Sequence, residues 1–449
     1  MQATAGFTPP DPRRFTGARA PRRLFGVPSD PDLSVVIPAH NEGPNLRVLL
    51  PQLRTILDEI GVANEILVVV RDEDSETREA ARGIATVECQ RDPGYGGALK
   101  AGFDKARGRY ILTMDADLSH PPTFARDLWQ KREEAEVLIA SRYVEGGSAR
   151  MPFFRALLSR VLNRFFAFGL GVPLQDLSSG FRLYRKSALA MDEVRARDFD
   201  VLPEIVIRAY TNGWRVREIP FRYEPRVHGS SNARVIPFGL AYLRTFRRLW
   251  AARHDVKAAD YEDRAFDSRH PPQRYWQRRR HRLIGEFVPE GTRTLDLGCG
   301  SSRLLGELPP GSVGLDILKG KLRRAARFGR RLVQASADQL PFRDGAFACV
   351  VSSQLVELVP PGADPLAEWT RVLALGGRLV IATPDYGRRR WRFLGALYSR
   401  IVPGAEGTPP LARYSRSRLV DEVKGKGLSL EAVREILGAE MVLVFRKPE

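Results

Sequence analysis

The chain has 449 residues, enough for two or three domains with separate cores. With 43% hydrophobic and 28% charged residues it reads as globular, and no apolar run approaches the roughly 20 residues of a membrane-spanning helix. A formal charge of +18 favours phosphate-rich partners, namely nucleic acid, anionic lipid or phosphorylated substrates, without choosing among them.

Residues 1–31 are rich in Pro and Arg and lack periodicity, as expected of a disordered tail, and they lack the apolar core of a secretory signal. Order is expected to begin with a buried-type strand at 33–37, ended by Pro38. A helical pattern at 45–60 follows, then strands at 65–70, 110–114 and 137–140. Alternating strands and helices predict an α/β fold with a parallel sheet, whose ligands bind beyond the carboxyl ends of the strands. Near residue 250 the pattern changes. Residues 254–274 are strongly charged and read as a linker into a helix. A second β-α-β series is predicted with strands at 293–297, 312–317, 332–335, 348–352 and 378–382. The expected domains are therefore 32–253 and 275–449. The three cysteines, Cys89, Cys299 and Cys349, show neither paired nor metal-type spacing, which fits a reducing cytosol.

The strand at 110–114 runs into Asp115-Ala-Asp117-Leu-Ser-His-Pro-Pro. Side chains two apart on an extended chain share a side, so two like charges there call for a cation between them. Oxygen ligands suit Mg²⁺ or Mn²⁺, which takes further ligands from substrate phosphates. The plain alternative is a polar turn closed by Pro121 and Pro122. Around this run lie Pro38-Ala-His40-Asn-Glu42, Gly94-Tyr-Gly-Gly-Ala-Leu-Lys100, Ser141-Arg142-Tyr143, Ser178-Ser-Gly-Phe-Arg182 and Arg226-Val-His228-Gly-Ser-Ser.

This succession resembles family 2 glycosyltransferases of the GT-A nucleotide-diphospho-sugar transferase fold, and most of all the dolichol- or polyprenyl-phosphate mannose synthases. The resemblance implies that Pro38, His40 and Glu42, with Asp72 and Lys100, flank the nucleotide of a GDP- or UDP-linked sugar. It implies that Asp115 and Asp117 hold the metal, and that Arg142, Arg182 and Arg226 meet phosphate oxygens of donor and lipid acceptor. Two departures stand out: Arg71 precedes Asp72 where relatives have a second acid, and Asn232 ends the run where they have Lys. For the arginines singly, a solvated surface role is the commoner explanation. The segment 151–175 and the positions Leu240, Leu243, Phe246, Leu249 and Trp250 mix apolar residues with arginines. They read either as helices lying on an anionic membrane interface or as helices packed on the core. An acceptor of this class places the enzyme in the cytoplasm, peripheral on the inner face of the membrane.

In the second half, Thr294-Leu-Asp296-Leu-Gly298-Cys-Gly300-Ser is a strand with a Gly-rich turn, and Arg303 stands where the third Gly of a dinucleotide fingerprint would be. A carboxylate, Asp316, ends the next strand, and Asp338 follows later. These resemble the Rossmann-like class I S-adenosylmethionine-dependent methyltransferases of small molecules. By that resemblance Asp296, Gly298 and Gly300 cradle the methionine end of the cofactor, Asp316 the ribose and Asp338 the adenine. At Gln354-Leu-Val-Glu357-Leu358 relatives often carry Glu-His, so Leu358 departs from the pattern. The leading expectation is a bifunctional transferase whose methyl acceptor is open, the transferred sugar being one candidate. The competing readings are an RNA-modifying enzyme with a basic binding module, against which no RNA-binding motif appears, and a membrane-bound scaffold with a decayed transferase domain. No nucleic-acid partner is expected, and the oligomeric state stays open.

Overall fold

The computed structural model describes residues 30–223, 235–360, 362–401 and 409–449. The tail expected at 1–31, and with it Arg226, His228 and Asn232, lies outside the described residues except at Asp30 and Pro31. The first half runs β1 (Leu33–Pro38), α1 (Gly43–Ile60), β2 (Asn64–Val70), α2 (Ser75–Ala81), β3 (Thr86–Cys89), α3 (Gly94–Lys105), β4 (Tyr110–Thr113) and α4 (Phe124–Gln130). It continues with β5 (Val137–Ser141), β6 (Ser148–Ala149), α5 (Phe153–Leu170), β7 (Arg182–Arg185), α6 (Val201–Thr211), β8 (Val216–Pro220), β9 (Arg222–Tyr223) and α7 (Val235–His254).

Seven of these strands form one sheet in the order β3-β2-β1-β4-β7-β5-β8, parallel except for β7. Because helices cover both faces, β1, β2, β4 and β5 are apolar runs rather than alternating ones. α1 shows the complementary pattern: Leu46, Leu49, Leu50, Leu53, Ile56 and Leu57 recur at helical spacing and are buried on one face. It stops at Gly61, whose φ of 69° a side chain would disfavour by about 1 kcal/mol. The chain order reverses between β1 and β4. A crevice therefore opens beyond their paired carboxyl ends.

The second half begins with α8 (Tyr261–Phe266) and α9 (Pro271–Gly285), then β10 (Thr294–Leu297), α10 (Leu304–Glu307), β11 (Val313–Asp316), α11 (Lys319–Ala325), β12 (Arg331–Gln334) and β13 (Phe347–Ser353). It closes with α12 (Pro365–Val372), β14 (Leu373–Pro384), α13 (Arg389–Ile401), α14 (Arg416–Lys424), β15 (Ser429–Ile436) and β16 (Glu440–Arg446). Its sheet order is β12-β11-β10-β13-β14-β16-β15, with β16 antiparallel to both neighbours. The switch point here lies between β10 and β13.

The residues expected as a linker, 254–274, are built into the junction. Arg253 at the end of α7 makes a buried two-pronged pair with Asp260, at 2.6 and 2.8 Å. Gly213 faces the Gly320 carbonyl so closely that a Cβ would come within 2.2 Å of its oxygen. Arg323 donates to the Asn212 carbonyl at 3.0 Å and lies 3.8 Å over the Trp214 ring.

Candidate active sites

The first crevice is framed by the loop after β1 and the turn after β4. The β1 loop is tied down by Asp74, which caps α2: it accepts from the Asn41 amide at 2.6 Å and the Thr77 amide at 3.1 Å. Burial raises the Asp74 carboxyl, and these hydrogen bonds more than offset it, so the group sits below its ordinary range. Asp74 is thus the acid that reaches this loop. Asp72 is 82% exposed and paired with Arg78 on the surface. Pro38 is half-buried and His40 exposed at the mouth, while Glu42 accepts from Asn45 at 2.5 Å.

The segment that carries the two aspartates after β4 is not extended. β4 ends at Thr113, and Leu118 takes a left-handed φ of 65°, so residues 115–120 form a turn rather than an extended chain. The Asp117 carboxylate folds into that turn, accepting from the Ser119 hydroxyl at 2.5 Å and its amide at 3.1 Å. Asp115 keeps 30% of its side chain exposed and accepts from the Tyr95 hydroxyl at 3.1 Å. Its own amide donates to Nδ1 of buried His120 at 2.9 Å, which leaves the His120 proton on Nε2, 3.7 Å from the Asp115 carboxylate. Burial lowers the His120 pKa, so the ring is neutral. Gly180 closes the back of this group: a Cβ there would stand 2.8 Å from the Tyr95 hydroxyl and 3.1 Å from Asp115.

The expected phosphate-binding arginines of this half are held by partners within the protein. Arg182 on β7 is fully buried and donates to the carbonyls of Leu177 and Leu202 at 2.6 and 2.7 Å. It pins the Leu177 loop and α6, while its Nε has no hydrogen-bond partner among the described residues. Arg142 forms a two-pronged pair with fully buried Asp176 at 2.7 Å through Nε and Nη2, and Nη2 also donates to Ser178. Lys100 lies on the outer side of α3 beside Asp104, 3.6 Å away. Arg226 falls outside the described residues.

The second crevice follows β10. Gly298 and Gly300 adopt φ of 61° and 54°, which turns the chain back across the strand ends. Gly300 donates its amide to Asp316 at 2.9 Å, and Leu318 donates to the other Asp316 oxygen at 2.8 Å. Asp338 accepts from Ser336 nearby in sequence. Asp296 is 2% exposed, and its Oδ2 has no hydrogen-bond partner among the described residues; nor has the hydroxyl of buried Ser352, on the neighbouring strand. Burial, with the charge of Asp316 second, pushes the Asp296 carboxyl up to about 8. An orphaned buried carboxylate oxygen beside a glycine turn fits a ligand that brings a cationic donor.

Two further residues stand at this crevice, Glu262, which motif reading does not reveal, and Glu357, whose run it singles out without a role. Glu262, from α8, accepts from the Ser301 hydroxyl at 2.9 Å and pairs with Lys321; a Cβ on Gly300 would meet it at 2.7 Å. Glu357, in the 3-10 turn that follows β13, is buried, accepts from the Thr383 hydroxyl at 2.9 Å, and is pushed up to about 7 by burial. Behind it, Arg280 and Trp276 of α9 hold Glu440.

The family described as Glycosyl transferase family 2 matches residues 34–191, and a methyltransferase domain family matches 295–381. A dolichol-phosphate mannosyltransferase of Pyrococcus furiosus is 31% identical over 211 residues, 44% of this chain and 58% of its own length. A polyprenol monophosphomannose synthase of Mycolicibacterium smegmatis is 32% identical over 246 residues, 50% of this chain and 91% of its own length. Among solved structures, glucosyl-3-phosphoglycerate synthase of Mycobacterium tuberculosis, crystallised with Mn²⁺ and uridine diphosphate, is 18% identical over 49% of this chain and 78% of its own, with a TM-score of 0.41.

Proposed function

Since the chain belongs to glycosyl transferase family 2 and carries a methyltransferase domain in its second half, we propose that it is a bifunctional transferase acting on a membrane lipid. The first domain moves a mannose- or glucose-type sugar from a GDP- or UDP-linked donor to a polyprenyl phosphate, inverting the anomeric centre. The second transfers a methyl group from S-adenosylmethionine, with the transferred sugar as candidate acceptor. The observation that carries the first reading is the match across 91% of a polyprenol monophosphomannose synthase. The orphaned Asp296 oxygen supports the second.

The donor set of the first crevice, oxygens only with one partly exposed carboxylate, suits Mg²⁺ or Mn²⁺. Such ions keep several waters and need one or two carboxylates beside substrate phosphates. Among the described residues no group of three His, Cys, Asp or Glu side chains is arranged to hold a metal ion, and on this reading the substrate phosphates supply the remaining ligands. A bound ion would offset the charge that develops on the departing diphosphate. Tyr95 and His120 fix the direction in which Asp115 presents its free face. A lipid phosphate with a second pKa of about 6 is mostly dianionic at neutral pH, so no strong base is required of the protein.

Several large apolar side chains support a lipid acceptor. Phe153, Phe154 and Phe168 on α5 and Leu240, Leu243 and Trp250 on α7 face solvent, with Arg160, Arg164, Arg244 and Arg247 exposed among them. A helix that only packed on the core would bury that face. None of the described helices is long and apolar enough to cross a bilayer. The proposed location is the cytoplasmic face of an anionic membrane.

In the second crevice Asp296 and Glu262 would accept from the ammonium of the cofactor's methionine end, Asp316 from the ribose and Asp338 from the adenine amino group. The cofactor supplies the reactive methyl when bound. Glu262→Gln is expected to weaken S-adenosylhomocysteine binding about tenfold, the scale of one charge-assisted hydrogen bond. Binding of methylthioadenosine, which lacks the amino-acid end, should be unchanged in the same calorimeter. Equal losses for both ligands would make Glu262 a strut between domains and no more.

The decisive assay offers a panel of GDP- and UDP-linked sugars with a short polyprenyl phosphate and Mg²⁺ or Mn²⁺. One donor should yield a lipid-linked sugar, and label from S-adenosylmethionine should then appear in that product. No transfer from any donor would overturn the first reading, and label that never enters the product would redirect the second.

A further inference from the structure

α13 leaves β14 at the mouth of the second crevice, three residues after Tyr386, and its two faces are of opposite kinds. The inner face carries Trp391, whose ring lies 5.8 Å from that of Tyr386 and 6.4 Å from that of Trp276, and Tyr398, whose hydroxyl is pushed up by burial. The outer face carries Phe393 and Leu397, one turn apart, 70% and 45% exposed. Around them stand exposed Arg389, Arg392 and Arg400, for which no carboxylate partner exists among the described residues. Arg388, just before the helix, is by contrast tied to Asp385 and Glu435.

One exposed Phe needs no explanation, but an apolar pair on one helical turn, rimmed among the described residues by unpaired cations, has a specific complement. An apolar protein partner would leave those three charges uncompensated. A soluble glycan would not use Phe393 or Leu397. A bilayer with anionic headgroups satisfies both, because apolar side chains enter the acyl boundary while guanidinium groups meet phosphates. We propose that α13 docks the methyltransferase domain on an anionic lipid surface, so that its methyl acceptor is lipid-linked. This rests on the reading of the first domain as a lipid-phosphate glycosyltransferase. It adds that the second domain grips the membrane through its own helix.

The test is co-sedimentation of the full chain with phosphatidylcholine vesicles, with and without phosphatidylglycerol. Wild-type protein should pellet with the anionic vesicles only, and amide exchange in α13 should slow on binding. The variants F393S/L397S and R389Q/R392Q/R400Q should each bind about tenfold more weakly. Both should keep wild-type affinity for S-adenosylhomocysteine, which shows that the fold is intact. Wild-type protein that ignores anionic vesicles would overturn the lipid reading of the whole chain. Vesicle binding undiminished by either α13 variant, with no change in its exchange, would overturn only the role given to α13.

Discussion

Replacing Asp115 by Asn is expected to lower metal-dependent sugar transfer at least about a hundredfold, because the proposed divalent ion would supply several kcal/mol of leaving-group stabilisation. The change keeps the shape of the side chain. Its amide oxygen can still accept from Tyr95, and the His120 Nδ1 contact runs through the backbone amide. What it removes is the charge on the one carboxylate of the pair that keeps a free face. Asp117→Asn is expected to cost less and to act through the turn, since the carboxylate is already engaged by Ser119. Both variants would be titrated with Mn²⁺ in the sugar-transfer assay. The Asp115 variant should need much more metal for half-maximal rate. Its affinity for S-adenosylhomocysteine should stay at the wild-type value, because that crevice belongs to a different sheet. Transfer that is undiminished and independent of metal would remove Asp115 from the site. A folded variant that lost both activities would instead show that the two crevices act as one.

The parts visible in the sequence are those set by local chemistry. β1, β2, β4 and β5 are short apolar runs because both faces of their sheet are covered, and such runs can be read directly. β7 and β8 escape that reading. Arg-Leu-Tyr-Arg is a buried strand only because Arg182 finds two carbonyls deep in the fold, and Val-Arg-Glu-Ile-Pro is a partly exposed edge. The same distinction governs the sites. The glycine turn at Gly298 and Gly300 is local and legible. The split between Asp115 and Asp117 depends on one left-handed residue, Leu118, for which the sequence has no Gly or Asn to announce it. Arg142 and Arg182 have the composition of phosphate ligands, but Asp176 lies 34 residues from the first, and a carbonyl 20 residues away holds the second. Glu262 sits in a stretch whose charge reads as linker, and its place beside Ser301 is a contact across 39 residues.

Asp296 should make cofactor affinity and stability depend on pH in opposite senses. Burial, and then Asp316, raise its carboxyl to about 8, far above the 3.8 of an exposed aspartate. In the free protein the folded state therefore keeps a proton that the unfolded chain releases. Stability on this account is greatest below the unfolded value, declines by about 1.4 kcal/mol per pH unit as pH rises towards 8, and levels off above it. A ligand that brings an ammonium to the orphaned Oδ2 selects the ionised form and must expel that proton. S-adenosylhomocysteine should then bind up to about tenfold more tightly per unit of pH until about pH 8. Calorimetry in buffers of different ionisation heats should show close to one proton released near pH 7, and Asp296→Asn should abolish both the release and the slope. Zero release by the wild-type protein, at an affinity that does not move with pH, would mean that the ligand leaves Asp296 protonated. Its buried oxygen would then serve as a neutral partner, and the charge that holds the methionine end would have to come from Glu262 alone.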